Sequence, residues 1–426
     1  MKRAMPILGW VLVGLALVVS FWLDFANTAQ GGAIDLRNRI TGLRLLEQGI
    51  DPYHYKWHEG DPDVYCDPFN NPKLTVSRTT ATPALLMVNL PLAPLPYRLA
   101  QVLWLFAQWL MVLGTGWLWL RACATPRQRW LVALFVVGFT YTAAWRLHAE
   151  RGQSYLLLAF AFAGWLTLTF NPKRTNGFLA GCVAGLLIAF RPTFALLVPF
   201  LALHRRGQLA GAVTGLLVGL VLPMFWEVNC WPEYFSAMRT NADLNWTHFY
   251  PHYSQGYPPR IEGVPTDILA HYVSIPFAEY SVPALWNWLG LAPLPDGFFL
   301  LAAVAPFGIW LWYSRQMRVA DLLPALAAWL FLADLFLPAY RNNYNDVLIL
   351  DVIAAGLVAS TRSPWASWPC ALALPIGWAV HGFEPEQAWL INLPSALFTV
   401  GAIMAAFLVT FLFNNRVGSR KVEQSC

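Results

Sequence analysis

Asp35 is the residue whose type and position in this chain best suit it to do chemistry. It lies about ten residues beyond the first apolar segment and introduces the stretch IDLRNRITGLRLLEQGIDPYHYKW. Leu36, Ile40, Leu43 and Leu46 recur at helical spacing, with Arg37, Arg39, Arg44 and Glu47 on the other side and Gly49 ending the pattern. This predicts a short amphipathic helix over 36–48, lying on the bilayer surface, with Asp35 at its N-cap position. Two roles follow, and the residues alone leave both open. Aspartate is a favoured N-cap, contributing about 1 kcal/mol. The same helix N–H groups and dipole also favour a carboxylate that can take a proton from a hydroxyl at the membrane surface.

A base needs something to work on, and the cations suggest what. Arg78, Arg146, His148, Arg151, Arg191 and Arg341 are all predicted to face the same side of the membrane. Arg146 and His148 end one predicted span and Arg151-Gly152-Gln153 open the next, so they are expected on one tight turn. Snorkelling explains one or two such residues; a converging set matches a phosphate. Arg191-Pro192 interrupts the apolar stretch 177–204, predicting two half-crossing helices that meet at a costly, buried arginine. Asp334 and Asp351 fall inside predicted spans, where either pairing with an arginine or a proton path would account for them. The tract YRNNYND, with Arg341, Asn343 and Tyr344, has the hydrogen-bonding groups for a sugar, as has any polar loop. Tyr53 and the aromatic stretch NWTHFYPHYSQGYPP suit stacking on sugar rings, although aromatics also mark membrane interfaces. No cysteine or acidic spacing calls for a metal, and no motif calls for a cofactor.

The elements that must hold these residues are membrane helices. Residues are 57% hydrophobic and only 12% charged, half the roughly 25% of a soluble domain. Apolar runs predict about twelve spans, near 7–23, 99–120, 130–146, 154–170, 177–190, 192–204, 208–226, 298–313, 321–338, 347–361, 366–380 and 389–413. The first reads as a retained signal anchor, since its apolar core exceeds a signal h-region and no clean cleavage site follows. Arg121, Arg127, Arg129, Lys173, Arg174, Arg205, Arg206, Arg315, Arg318, Arg362, Arg416, Arg420 and Lys421 mark alternate short loops as cytoplasmic. Two long loops, 24–98 and 227–297, then face outward and carry most of the acidic residues. Residues 1–426 form one integral membrane domain in this reading: all-α, polytopic, with neither loop apolar enough for its own core. The segment 82–96 holds Pro83, Pro91, Pro94 and Pro96 and is expected as a re-entrant or surface-lying hairpin. Cys66 and Cys230 are the two cysteines of the outer loops; a disulfide and two free thiols both fit. The net charge of +5 reflects the positive-inside bias and needs no nucleic acid.

Together these pieces resemble the GT-C glycosyltransferases, in particular family 87. The outward Asp35 opening a basic helix that ends LLEQGIDPY looks like the family's start. TPALLMVNLPLAPLPYRLAQVLW is similar to its proline-rich stretch, RGQSYLLLAFAFAGWL to its Gly-Gln motif, and GLLIAFRPTFALLVPFLALHRR to its basic-residue-Pro hairpin. The matches cover roughly 1–210; one departure is Asn343 and Tyr344 where a histidine is expected in the stretch Pro338 to Asp346. The resemblance implies a GT-C-like bundle in a bacterial inner (plasma) membrane, with its site facing the periplasm or exterior. It implies an inverting transfer of a mannose- or arabinose-class sugar from a polyprenyl monophosphate lipid to a glycan, glycolipid or surface-protein hydroxyl. Asp35 would be the base; Arg191, Arg146, His148 and Arg151 would bind the donor phosphate; and Gln153, Tyr53, Arg341, Asn343 and Tyr344 would bind sugar or acceptor. A transporter or flippase, and an O-antigen polymerase or ligase, are the rival readings.

Overall fold

The computed structural model describes residues 4–31, 33–55, 61–65, 79, 81–170, 177–238, 281–283, 286, 290–315, 317, 319–336 and 343–359. The spans expected at 366–380 and 389–413, most of the second outer loop, Cys66, Arg78 and Arg341 lie outside these residues. Asn343 and Tyr344 are described only as part of a 3-10 segment, Asn343–Leu348.

Among the described residues the regular structure is helical. The long elements are α1 (Ala4–Gly31), α2 (Ile34–Glu47), α3 (Pro83–Met87), α4 (Tyr97–Ala122), α5 (Pro126–Phe139), α6 (Ala143–Arg151), α7 (Tyr155–Phe170), α8 (Gly177–Phe190), α9 (Leu197–His204), α10 (Leu209–Val221), α11 (Asp296–Ser314), α12 (Val319–Phe336) and α13 (Ile349–Ala359). Four are long and apolar enough to cross a membrane: α1, α4, α10 with its flanking 3-10 turns, and α11. A fifth crossing arises if α5 and α6, bent by 57°, count as one. The remaining predicted spans within the described residues appear as shorter apolar helices, so the chain is a multi-pass membrane protein whose helices are of unequal length.

Local sequence sets the helix boundaries. Thr125 caps α5 reciprocally with Gln128, with Pro126 at the first helical position. Thr142 accepts from the Trp145 amide and restarts the chain as α6. The predicted single span 130–146 therefore breaks at 140–142, and Arg146, His148 and Arg151 sit on one short helix rather than around a turn. Its end is Gly152, at φ 67°, the left-handed conformation glycine adopts freely. The proline-rich segment is two short helical turns, α3 and Leu90–Leu92, and α3 is fully buried. As predicted, it is no straight span.

The helix α2 differs from its expectation in two ways. It starts two residues early, with Ala33 at the N-cap (φ 50°, ψ 54°), so Asp35 lies inside the first turn and caps nothing. Nor does it lie on a surface: Leu36, Arg37, Asn38, Arg39, Ile40, Thr41 and Leu43 are all buried. Its leucines pack on the proline-rich turns while its polar side is covered by the 152–153 turn. Arg44 reinforces this packing by donating to the carbonyls of Ala93, Val64 and Leu95.

The closest helix packing is between α8 and α10. A Cβ on Gly181 would come within 2.1 Å of the Gln208 carbonyl oxygen, and one on Gly185 within 2.1 Å of that of Ala212. Gly211 and Gly215 stand equally close to the Phe178 and Cys182 carbonyls. The pairing advances in the same sense on both helices, so α8 and α10 run parallel and α9 returns between them. Without a hydrophobic force between spans, such small-residue contact gives the helices their van der Waals attraction.

The two ends of the bundle differ in chemistry. At one end Trp10 stacks on Trp130 at 4.5 Å, Gln128 donates to Val358, and Arg121 and Arg315 lie over Trp117 and Trp312. At the other end Gln101 donates to the Thr28 carbonyl and Tyr97 to that of Ala33, tying α4 to α1 and to the start of α2. Asp35, the 152–154 turn and Arg191 belong to this second end.

Candidate active site

Everything around Asp35 is organised by the turn between α6 and α7. Gln153 donates from Nε2 to the Asp35 Oδ2 at 2.5 Å, while its own Oε1 accepts from Arg39 at 3.5 Å. Arg39 also donates to the Gly152 carbonyl and lies over the Trp104 ring at 5.9 Å. Trp104 in turn donates from Nε1 to the Gly152 carbonyl at 2.9 Å. Asp35 and Arg39 are one helical turn apart on α2, so a single face of that helix grips both ends of one amide. The grip depends on Gly152, because a Cβ there would meet the Leu36 Cβ at 2.7 Å. Arg151 stands 3.7 Å from the same Oδ2, and the Asp35 side chain keeps 21% exposure. Oδ1 has no partner among the described residues. A carboxylate with one oxygen anchored and the other open has the form of a general base.

The predicted phosphate ligands do not share one setting. Arg191, at the break after α8, pairs with buried Asp334 of α12 through Nε and Nη2, and donates from Nη1 to the Tyr155 hydroxyl at 3.1 Å. The intramembrane Asp334 is thereby explained as a partner. Tyr155 also carries the guanidinium over its ring, at 4.8 Å. The 153–155 segment thus touches Asp35 at one residue and Arg191 two residues later. Arg146 points elsewhere, donating to Asp24 of α1 at 2.6 Å and to the Ser20 carbonyl at 3.1 Å. Asp24 also accepts from Trp109 and Trp145 indoles at 3.0 and 2.8 Å. His148 is fully buried, stacks on Trp145, and its Nε2 accepts from the Leu156 amide. That lone pair fixes the start of α7, and the enclosed ring offers a phosphate no approach. The contacts that His148 and Arg146 make here are with other parts of the protein.

The sugar-binding candidates also divide. Gln153 holds Asp35. Tyr53 is wholly buried, donates to the Ala81 carbonyl and meets Tyr234 edge-on at 5.6 Å. Burial pushes its hydroxyl well above the usual tyrosine range. It joins the segment after α2 to the one after α10. The same junction holds Asp51, bonded to His54 at 2.5 Å, and Glu233, whose carboxyl is raised by burial and by the charges of Asp51 and Glu227. Cys230, a free buried thiol, lies there too. Asp351 accepts from Trp119 at 2.8 Å and lines a small apolar cavity with Phe162, Phe194 and Phe331. None of the residues around Asp35 lines that cavity. Among the described residues no group of histidine, cysteine and carboxylate side chains could hold a metal.

Sequence reading missed Arg39 and Asp24. Arg39 counted as a solvated face of an amphipathic helix, and Asp24 fell at the margin of the first span. The signal for both was a charge with no aqueous place to go.

No curated protein and no solved structure matches the chain. The model of glycosyltransferase family 87 matches residues 80–338, more than half of the 426 residues, and includes the 152–155 turn, Arg191 and Asp334. The chain belongs to glycosyltransferase family 87.

Proposed function

We propose that this glycosyltransferase moves a sugar of the mannose or arabinose class from a polyprenyl monophosphate to an acceptor hydroxyl, at the exoplasmic face of a bacterial inner membrane. The observation that carries the reading is the anchored carboxylate: Asp35 Oδ2 is held by Gln153, with Arg151 3.7 Å from the same oxygen, while Oδ1 has no partner among the described residues. Oδ1 accepts the acceptor's proton as its oxygen attacks the anomeric carbon. The bond from that carbon to phosphate breaks, the centre inverts, and the lipid phosphate leaves with the electron pair. In-line displacement puts base and leaving group on opposite faces of the sugar. A phosphate ligand must therefore stand apart from Asp35, and Arg191, beyond Tyr155, meets that condition better than Arg151. Its charge supports the phosphate as negative charge grows there. Asp334 and Tyr155 hold the guanidinium in place beforehand, which limits the reorganisation during reaction.

The basic loops support the orientation. Arg121, Arg127, Arg129, Arg205, Arg206 and Arg315 cluster in short connections away from Asp35, as positive-inside loops do. Donor lipid, membrane lipids and a glycan, glycolipid or surface-protein acceptor are the partners this reading requires. Nothing in the described helices favours the rival transporter reading, which would need matching halves around a central site. The test is release of labelled sugar from polyprenyl-phosphate-mannose and from polyprenyl-phosphate-arabinose by purified protein in liposomes. Turnover of either supports transfer; passage of the intact lipid between leaflets without cleavage would support the transporter.

A further inference from the structure

We infer that Gln153 and Arg39 are positioning residues that act in series on Asp35, with Arg39 selecting which way the Gln153 amide points. The inference rests on the reading of Asp35 as the base. An amide can present either its NH2 or its oxygen to a neighbour, and only the NH2 anchors a carboxylate. Facing the oxygen instead would set two acceptors against each other and turn the carboxylate away. Arg39 has donors and no acceptor, so its contact with Oε1 forces Nε2 towards Asp35. Its second bond, to the Gly152 carbonyl, fixes the backbone that carries Gln153. Trp104 holds the same carbonyl from the other side. The order is therefore Arg39 to Gln153 to Asp35, with α2 supplying the first and last members.

This arrangement assigns Gln153 away from sugar binding. Its two amide ends are taken by α2, so a substrate hydroxyl would have to displace Asp35 or Arg39 to reach it. It also accounts for two costly choices at one place: a buried arginine and a glycine whose replacement would clash. A site held to its working geometry by a supporting layer is a general requirement for rate, and a misplacement of about 1 Å costs roughly 100-fold.

The test uses Gln153→Met, Arg39→Met and the double variant in the full-length protein in liposomes, with Asp35→Asn alongside. On whichever polyprenyl-phosphate sugar the unmodified protein cleaves, Gln153→Met should lower kcat by roughly 100-fold and leave the donor KM unchanged. Arg39→Met should lower kcat in the parent and add nothing in the Gln153→Met background, because the two act in series. Independent losses in the double variant, or a raised donor KM with kcat intact, would overturn the series. A second readout needs no turnover: labelling of Asp35 by a water-soluble carbodiimide, measured by peptide mass spectrometry, should rise severalfold in Gln153→Met. Unchanged labelling would overturn the inference whatever the activity. If Asp35→Asn keeps full transfer, the base reading fails instead; if it is inactive while Gln153→Met keeps its kcat, only the positioning inference fails.

Discussion

At the scale of single residues, the arginines differ in what balances them. Arg146 is balanced by Asp24, whose side chain is 1% exposed and also takes two indole N–H bonds. Removing one member strands the other. Asp24→Leu should therefore destabilise the protein by about 3 kcal/mol, read as a lower midpoint of thermal unfolding in detergent. The double variant Asp24→Leu, Arg146→Leu should recover part of that loss, since no charge is then left alone. Full additivity would show that the pair is not coupled. Sequence made Asp35, Arg191 and Arg146 visible because charges in a greasy chain stand out. It gave no sight of their partners, since Arg146–Asp24 and Arg191–Asp334 join positions 122 and 143 residues apart.

Elements explain why the residues meet. The helix α2 looked like a surface helix because its apolar positions recur every three or four residues. Periodicity cannot tell water from buried polar partners on the opposite side, and here the polar side is covered. Glycines carry the rest of the geometry. Gly152→Ala should lower both stability and transfer, because the new Cβ meets Leu36 at 2.7 Å from a backbone at φ 67°. Gly185→Ala should lower the unfolding midpoint more sharply, as its Cβ would sit 2.1 Å from a backbone oxygen that cannot move aside. Gly164→Ala meets nothing within 4 Å and should leave the midpoint unchanged or slightly higher. Equal effects at 164 and 185 would contradict the close approach of α8 and α10. That contact was open to view, because Gly177, Gly181 and Gly185 recur at the spacing of Gly207, Gly211, Gly215 and Gly219.

At the scale of the molecule, the two long loops, 24–98 and 227–297, are tied together through Tyr53 and Tyr234. Tyr53 from the first packs on Tyr234 from the second, with Glu233 held close to Asp51 and Glu227. The Glu233 carboxyl is raised, so the fold binds its proton more tightly than the unfolded chain does. Its stabilising share is complete below the ordinary glutamate value of 4.5 and is lost as pH rises through the higher folded value. Glu233→Gln should consequently raise the unfolding midpoint at neutral pH, and the two proteins should converge below pH 4.5. A difference that grows on acidification would reverse the assignment. The separation of basic loops from Asp35 was legible from the sequence, since the positive-inside pattern reads directly from loop composition. The break at Arg191-Pro192 was legible too, but the one at 140–142 was not, because the Thr142 cap interrupts a stretch that reads as one span.

The most direct test of the base is Asp35→Asn in purified protein reconstituted with a polyprenyl-phosphate sugar that the parent cleaves. Asparagine keeps an oxygen for Gln153 but cannot accept the acceptor's proton. Transfer should fall by about 10²-fold or more, with the unfolding midpoint and donor binding retained. Transfer near the parent rate would contradict the role given to Asp35.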